Sequence, residues 1–112
     1  MKVSKPWGYE VIWAQTSNYA GKILVIECGQ RLSLQHHAQK EESLYVQSGK
    51  VTIHLEDEAG NMKEHTLLPT QHIHIPSGLK HRITAIEDSE IFEVSTPHLG
   101  DVIRHEDDYG RV

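Results

Sequence analysis

The chain has 112 residues, 38% hydrophobic and 24% charged, with a formal net charge of −5 at pH 7. That length buries one core, so the whole chain, 1–112, reads as a single domain. With no basic run to offset the acidic balance, broad nucleic-acid or membrane-surface affinity is excluded, and an anionic ligand would need a local cluster of Lys and Arg.

The opening MKVSKPWGYE lacks an apolar leader segment, and no apolar run approaches membrane-spanning length. Cys28 is the only cysteine, which excludes an intramolecular disulfide and a cysteine-based zinc cluster. A reducing, cytoplasmic setting is expected, with Cys28 as a small buried hydrophobe. The count of 9 histidines is high for this length and points to metal or proton chemistry without locating it.

Period-two alternation with frequent turns predicts strands over YEVIW (9–13), KILVIEC (22–28), RLSLQHH (31–37), SLYVQS (43–48) and KVTIHLE (50–56). It predicts four more over MKEHTLL (62–68), QHIHIP (71–76), KHRITAI (80–86) and EIFEVST (90–96). Turn residues separate them, among them Gly29-Gln30, Ser48-Gly49, Gly60-Asn61 and Pro76-Ser77-Gly78. No segment shows helical amphipathicity. Short, regular strands in a small domain predict an all-β sandwich or closed barrel, because closure removes exposed edges. The charged stretch 98–112 is left as a C-terminal tail, arm or lid.

Alternation assigns the faces. In 31–37, Arg31, Ser33, Gln35 and His37 share one face, opposite Leu32, Leu34 and His36. In 22–28, Lys22, Leu24, Ile26 and Cys28 share a face. A polar face on a strand whose other face is apolar is expected where the strand lines a cavity. Gln35 and His37 project side by side, Glu42 follows a short connection, and His81 opens a strand after the Pro76–Gly78 turn. Two imidazoles, a carboxylate and an amide oxygen suit a borderline divalent ion such as Zn, Mn, Fe, Co or Ni, with a position left for water or substrate. His36 points away from this set. His72 and His74 face outward opposite Ile73 and Ile75, and His54, His65, His98 and His105 are expected on the surface. Trp7, Tyr9 and Trp13 form an aromatic stripe read as packing or a dimer contact.

The run Gly29-x7-His37-x4-Glu42-x6-Gly49, followed by Pro76-x-Gly78-x2-His81, resembles the paired motifs of the cupin superfamily, with Gln35 in place of the first motif histidine. KPWG at 5–8, LSLQ-x-H at 32–37, IPSG-x2-HR at 75–82 and IRHEDDYGR at 103–111 resemble, in this order, the isomerase portion of type II phosphomannose isomerases. The resemblance spans nearly the whole chain. It departs at Ala38-Gln39-Lys40, where the family carries further histidines and an arginine, and at Ala85, where an asparagine is common. The nucleotidyltransferase domain to which that family is often fused does not occur in these residues.

The resemblance implies a cupin, a double-stranded β-helix or jelly-roll barrel, in the homodimeric form common among small cupins. It implies one divalent metal ion, zinc foremost, on Gln35, His37, Glu42 and His81; the Gln-His-His-Glu donor set recurs in zinc-dependent type I enzymes. The implied activity is aldose–ketose isomerisation of a sugar phosphate, mannose 6-phosphate to fructose 6-phosphate. Lys22, Arg31 and Arg104 are the candidates for proton transfer or phosphate binding, and the base is open among Lys22, Glu93 and a metal-bound hydroxide. The alternatives are a non-catalytic metal-containing cupin that binds a sugar or small acid, and a cupin enzyme of other chemistry.

Overall fold

Short alternating strands leave unpaired N–H and C=O groups on both edges, and the chain satisfies them by pairing every strand antiparallel. A computed structural model describes all residues, 1–112. Its elements are β1 (Lys2–Lys5), β2 (Gly8–Gln15), β3 (Ala20–Ile26), β4 (Leu34–His36), β5 (Glu42–Ser48), β6 (Val51–Glu56), β7 (Met62–Leu67), β8 (His72–Ile75), β9 (His81–Ala85), β10 (Ser89–Ser95) and β11 (Ile103–Glu106). A six-stranded sheet runs β1-β2-β3-β10-β5-β8 and a five-stranded sheet β11-β4-β9-β6-β7. The two close on each other as the all-β cupin barrel expected from the sequence. No helix is long and apolar enough to cross a membrane.

The inward faces supply a dry core at one end. Ile26, Leu44, Val46, Ile53, Ile75 and Ile91 are each at most 1% exposed. These β-branched and leucine side chains pack across the gap between the sheets, the main source of stability in such a sandwich. Toward the other end the same inward positions turn polar. Glu10, Lys22, Lys40, Glu42 and Glu93, with His37 and His81, are all buried.

All nine expected strands occur, and β1 and β11 are additional. β4 is shorter than the stretch that predicted it, because Arg31 to Ser33 leaves the ladder after a single bridge from Arg31 to Thr84. Cys28 corrects an expectation: it is exposed. The alternation that buries Lys22, Leu24 and Ile26 ends with β3, and Cys28 lies in the following turn, its N–H donating to Asp88 Oδ1 at 2.7 Å. Trp7 leaves the aromatic stripe. It is 3% exposed, in the turn between β1 and β2, whereas Trp13 is 59% exposed.

The C-terminal segment is strapped along the five-stranded sheet. β11 pairs with β4, Arg31 grips Asp108 through bonds of 2.6 and 2.8 Å, and the Tyr109 hydroxyl donates within reach of Gln30 Oε1 and the Arg31 carbonyl. Arg111 closes back on Asp107 with two guanidinium bonds of 2.9 Å.

Gly49 and Gly60 make this packing testable. Gly49 has φ +86°, and a Cβ there would lie 2.3 Å from Ser89 Oγ and 2.4 Å from the Asp88 carbonyl. Gly60 has φ +88° with open space around it. Both Ala substitutions incur the left-handed backbone strain of about 1 kcal/mol, but only Gly49→Ala adds a backbone clash, so denaturant titration should show it clearly the less stable of the two. Separately, the Arg111 hydrogen bonds hold the Asp107 carboxyl down to about 2. An unfolded Asp titrates near ~3.9, so this stabilisation is complete above that pH and is lost as pH falls toward the folded value. Asp107→Asn should therefore flatten the stability profile between about pH 4 and 2, as read by thermal melts across that range.

Candidate metal centre

The polar end of the interior is a cavity of about 100 Å³ lined by residues of both sheets. Strand register explains who meets there. On the five-stranded sheet, Arg104 lies across from Gln35 and Gln35 across from His81. On the six-stranded sheet, Lys22 lies across from Glu93, and Ser95, two residues on, lies across from Glu42. The inward rows of the two sheets face each other over the cavity.

His37, Glu42 and His81 offer ligand atoms that all lie within 4.8 Å of one another, and all three residues are buried. His81 Nε2 is 3.3 Å from Glu42 Oε1 and His37 Nε2 is 3.9 Å from Glu42 Oε2. Each imidazole is oriented from behind. His37 Nδ1 contacts the Asp101 carbonyl, and His81 Nδ1 lies 3.0 Å from the Leu79 carbonyl. A carbonyl can only accept, so both Nδ1 atoms carry a proton, and each ring, when neutral, turns its Nε2 lone pair toward the carboxylate. Imidazoles held by backbone carbonyls, with the free nitrogens converging on a carboxylate, are the arrangement of metal-ligating histidines. These residues fit a divalent ion, with the Gln35 amide lining the same cavity.

Charge around the donors is balanced in a chain. Lys40 Nζ is 3.0 Å from both Glu42 Oε2 and Glu93 Oε2. Lys22 Nζ is 3.3 Å from Glu10 Oε2. Burial alone would raise the Glu42 carboxyl, but a hydrogen bond from His81 in its protonated form and the Lys40 charge overcome it and hold it well below the usual carboxylate range. Burial would likewise lower Lys40, yet its two carboxylates keep it firmly protonated. Glu93 goes the other way: burial, and then the negative charge of Glu42, raise its pKa. Burial depresses His37, which favours the neutral, ligating imidazole.

The structure brings Gln35, His37, Glu42, His81, Lys22 and Arg104 to one cavity. Arg104 Nε is buried there without a protein partner. Arg31 stands apart: its guanidinium is committed to Asp108 and it does not line the cavity. Sequence reasoning passed over Lys40, Glu10, Lys5, Trp7 and Arg111 as cavity residues. Lys5, Trp7 and Arg111 belong to the KPWG and EDDYGR segments at the two ends of the chain, and that was the available signal. His36, opposite in face to His37 as expected, pairs with His105 at 2.7 Å, Nδ1 to Nε2. This geometry predicts that His37→Ala abolishes high-affinity binding of a divalent ion, measured by calorimetric titration of the metal-free protein, whereas His36→Ala leaves it intact. Equal losses would refute the assignment of the two faces.

Among solved structures, KdgF from Halomonas sp. is similar over 88% of both chains, with a TM-score of 0.77 and 20% identity. A single-residue variant of the oxalate decarboxylase of Bacillus subtilis aligns with all of this chain at a TM-score of 0.82 and 19% identity, and the chain spans 32% of that protein's length. A conserved SPY1581 protein of unknown function from Streptococcus pyogenes aligns at a TM-score of 0.66 and 17% identity, over 78% of this chain and 71% of that one. At such identities the likeness shows the fold. No curated protein matches the chain significantly. A family model described as mannose-6-phosphate isomerase C-terminal matches residues 1–111. The chain therefore belongs to the mannose-6-phosphate isomerase C-terminal family, and its barrel is a cupin.

Proposed function

We propose that the protein is a metal-dependent aldose–ketose isomerase for a phosphorylated sugar of the mannose 6-phosphate type, working in the cytoplasm as a homodimer. The observation that carries this reading is the meeting, in one cavity, of the His37–Glu42–His81 donor set, the buried acid Glu93 and the unpartnered Arg104 guanidinium. A divalent ion, zinc foremost, held by Gln35, His37, Glu42 and His81 would supply Lewis-acid polarisation of the sugar's C1 and C2 oxygens.

The chain's own residues account for the rest. Glu93, with its pKa raised by burial and by Glu42, takes the proton from C2 of the aldose and returns it to C1 while the O2 hydroxyl proton passes to O1, so that the reaction consumes and releases nothing. Lys40 and Lys22 flank Glu93 and stabilise its charged form once the proton has left. Arg104, with Lys5 on the same wall, donates to the phosphate. Trp7, Leu24 and Leu32, with Ile83, Leu99 and Val102, form the apolar part of the wall and keep bulk water from the reacting carbons. Five cationic side chains, Lys5, Lys22, Lys40, Arg104 and Arg111, line the cavity against three carboxylates. The cavity is thus locally positive within an acidic protein and suited to an anion.

One observation favours a second reading, a cupin that binds or transforms a small carboxylic acid. The enclosed volume of about 100 Å³ accommodates the carbonyl end of a hexose phosphate and leaves the phosphate at the rim, whereas a small dicarboxylate would fit whole. Turnover decides between them. The metal-loaded protein should interconvert mannose 6-phosphate and fructose 6-phosphate in a coupled assay, and Glu93→Gln should lower kcat by roughly 100-fold or more with metal content unchanged, within the range expected for loss of a general base. Bound metal without turnover of any hexose phosphate, together with thermal stabilisation by a dicarboxylate, would replace the isomerase reading with the second.

A further inference from the structure

The loop from Ala38 to Glu41 carries the chain from β4 to β5 and delivers Lys40 and Glu42 to the cavity, with His37 at its start. Its backbone N–H groups have no strand ladder to join and need another acceptor. One residue, distant in sequence, supplies it. Asp101 Oδ1 accepts from the Ala38 N–H at 3.0 Å, and Asp101 Oδ2 accepts from Gln39 at 2.7 Å and Lys40 at 2.9 Å. The carbonyl of the same residue accepts a hydrogen bond from the Nδ1–H of His37. Asp101 is itself set in a turn by its N–H to the His98 carbonyl at 3.2 Å.

We propose that Asp101 is the positioning residue of the metal centre: its carboxylate clamps the loop that presents Lys40 and Glu42, and its carbonyl turns the His37 ring so that Nε2 faces the donor set. The two halves of this clamp are coupled, because the carboxylate–loop bonds hold the Asp101 backbone where its carbonyl meets the ring. An ordinary loop cap satisfies N–H groups and touches no ligand. This one satisfies three and also fixes the tautomer of a ligand. Three N–H donors around one carboxylate keep it ionised, its pKa falling to about 2. An asparagine at this position would direct an amide NH2 at donors already pointing inward, so a nearly isosteric change breaks one side of the clamp.

The inference rests on the reading of the cavity as a metal centre, and the test separates the two. Co²⁺, whose visible absorption reports coordination geometry, is titrated into the metal-free wild type, Asp101→Asn, Asp101→Ala and Asp108→Asn. Asp108 ties the same C-terminal segment to Arg31 without touching the loop or a ligand, so its variant controls for general loosening of that segment. Asp101→Asn and Asp101→Ala should bind Co²⁺ roughly 10- to 100-fold more weakly, as for other outer-shell partners of metal-bound histidines. Their spectra should also be altered, while Asp108→Asn matches the wild type. An unchanged affinity and spectrum in Asp101→Asn, or an equal loss in Asp108→Asn, overturns the positioning role alone. Absence of Co²⁺ binding by the wild type overturns the metal centre and the role together. Nitrogen NMR of ¹⁵N-histidine-labelled wild type gives a measurement that needs no variant: His37 should carry its proton on Nδ1, and the opposite tautomer contradicts the clamp.

Discussion

A carboxylate taken out of water between two β-sheets must be met by positive charge or by a proton. In this barrel the constraint falls on Glu42, 5% exposed, with Lys40 at 3.0 Å on one oxygen and His81 Nε2 at 3.3 Å from the other. The two oxygens are engaged differently. Oε2 meets the resident Lys40 and, at 3.9 Å, His37 Nε2, while Oε1 is turned toward His81 Nε2. Both rings carry a proton on Nδ1, on their far side. The gap between the Nε2 atoms and the carboxylate is where a cation or a proton belongs. Lys40 also meets Glu93, and with Lys22 and Glu10 this extends as alternating charge across the inner face of the six-stranded sheet. Removing one member of such a buried set leaves an uncompensated charge, typically a loss of roughly 3–5 kcal/mol. The chemistry of the cavity and the stability of that end of the barrel are for this reason hard to separate.

The second organising feature is that the chain ends build the mouth. Lys5 arrives from the end of β1 and Trp7 from the β1–β2 turn, and Leu99, Val102, Arg104 and Arg111 from the C-terminal segment. That segment is anchored at successive points: Asp101 on the loop after β4, β11 on β4, Glu106 beside Arg82, and Asp108 and Tyr109 on Arg31. Arg31 contributes by holding this strap rather than by entering the cavity. The acidic run at 106–108 is divided accordingly among different arginines, each carboxylate with its own partner. Within the stretch expected as a tail, arm or lid, Glu106 and Asp108 thus fasten the segment to the barrel, while Asp107 braces Arg111.

Residues 31–37 mark how far sequence alone reached. Alternation placed Gln35 and His37 on the cavity side and His36 away from it, because a strand that crosses from a wet cavity to a dry face must keep period two. The same rule failed at Cys28 and Trp7, which lie within two residues of a strand end, where a turn resets the direction of the side chain. Gly8, with φ +149° and a virtual Cβ only 2.0 Å from the Val25 carbonyl, is the residue that makes the turn carrying Trp7 inward. Lys40 and Asp101 were illegible for another reason. Their roles depend on contacts spanning some 50 to 60 residues, Lys40 to Glu93 and Asp101 to the loop backbone, and no local pattern encodes a partner at that distance. β11 was hidden by its composition, since IRHE reads as a charged tail until β4 is there to pair with it.

At the centre stands the convergence of His37, Glu42 and His81, which a divalent ion would turn from a buried ion-pair network into a metal centre. Anomalous diffraction from crystals of the protein grown with zinc, collected on both sides of the zinc absorption edge, distinguishes the two. A metal centre requires a single strong peak inside the barrel, about 2.0–2.1 Å from both Nε2 atoms and about 2.0–2.2 Å from a Glu42 oxygen, with Lys40 still on the other oxygen. An interior without anomalous signal, or a peak only at surface histidines such as His72 and His74, would contradict it.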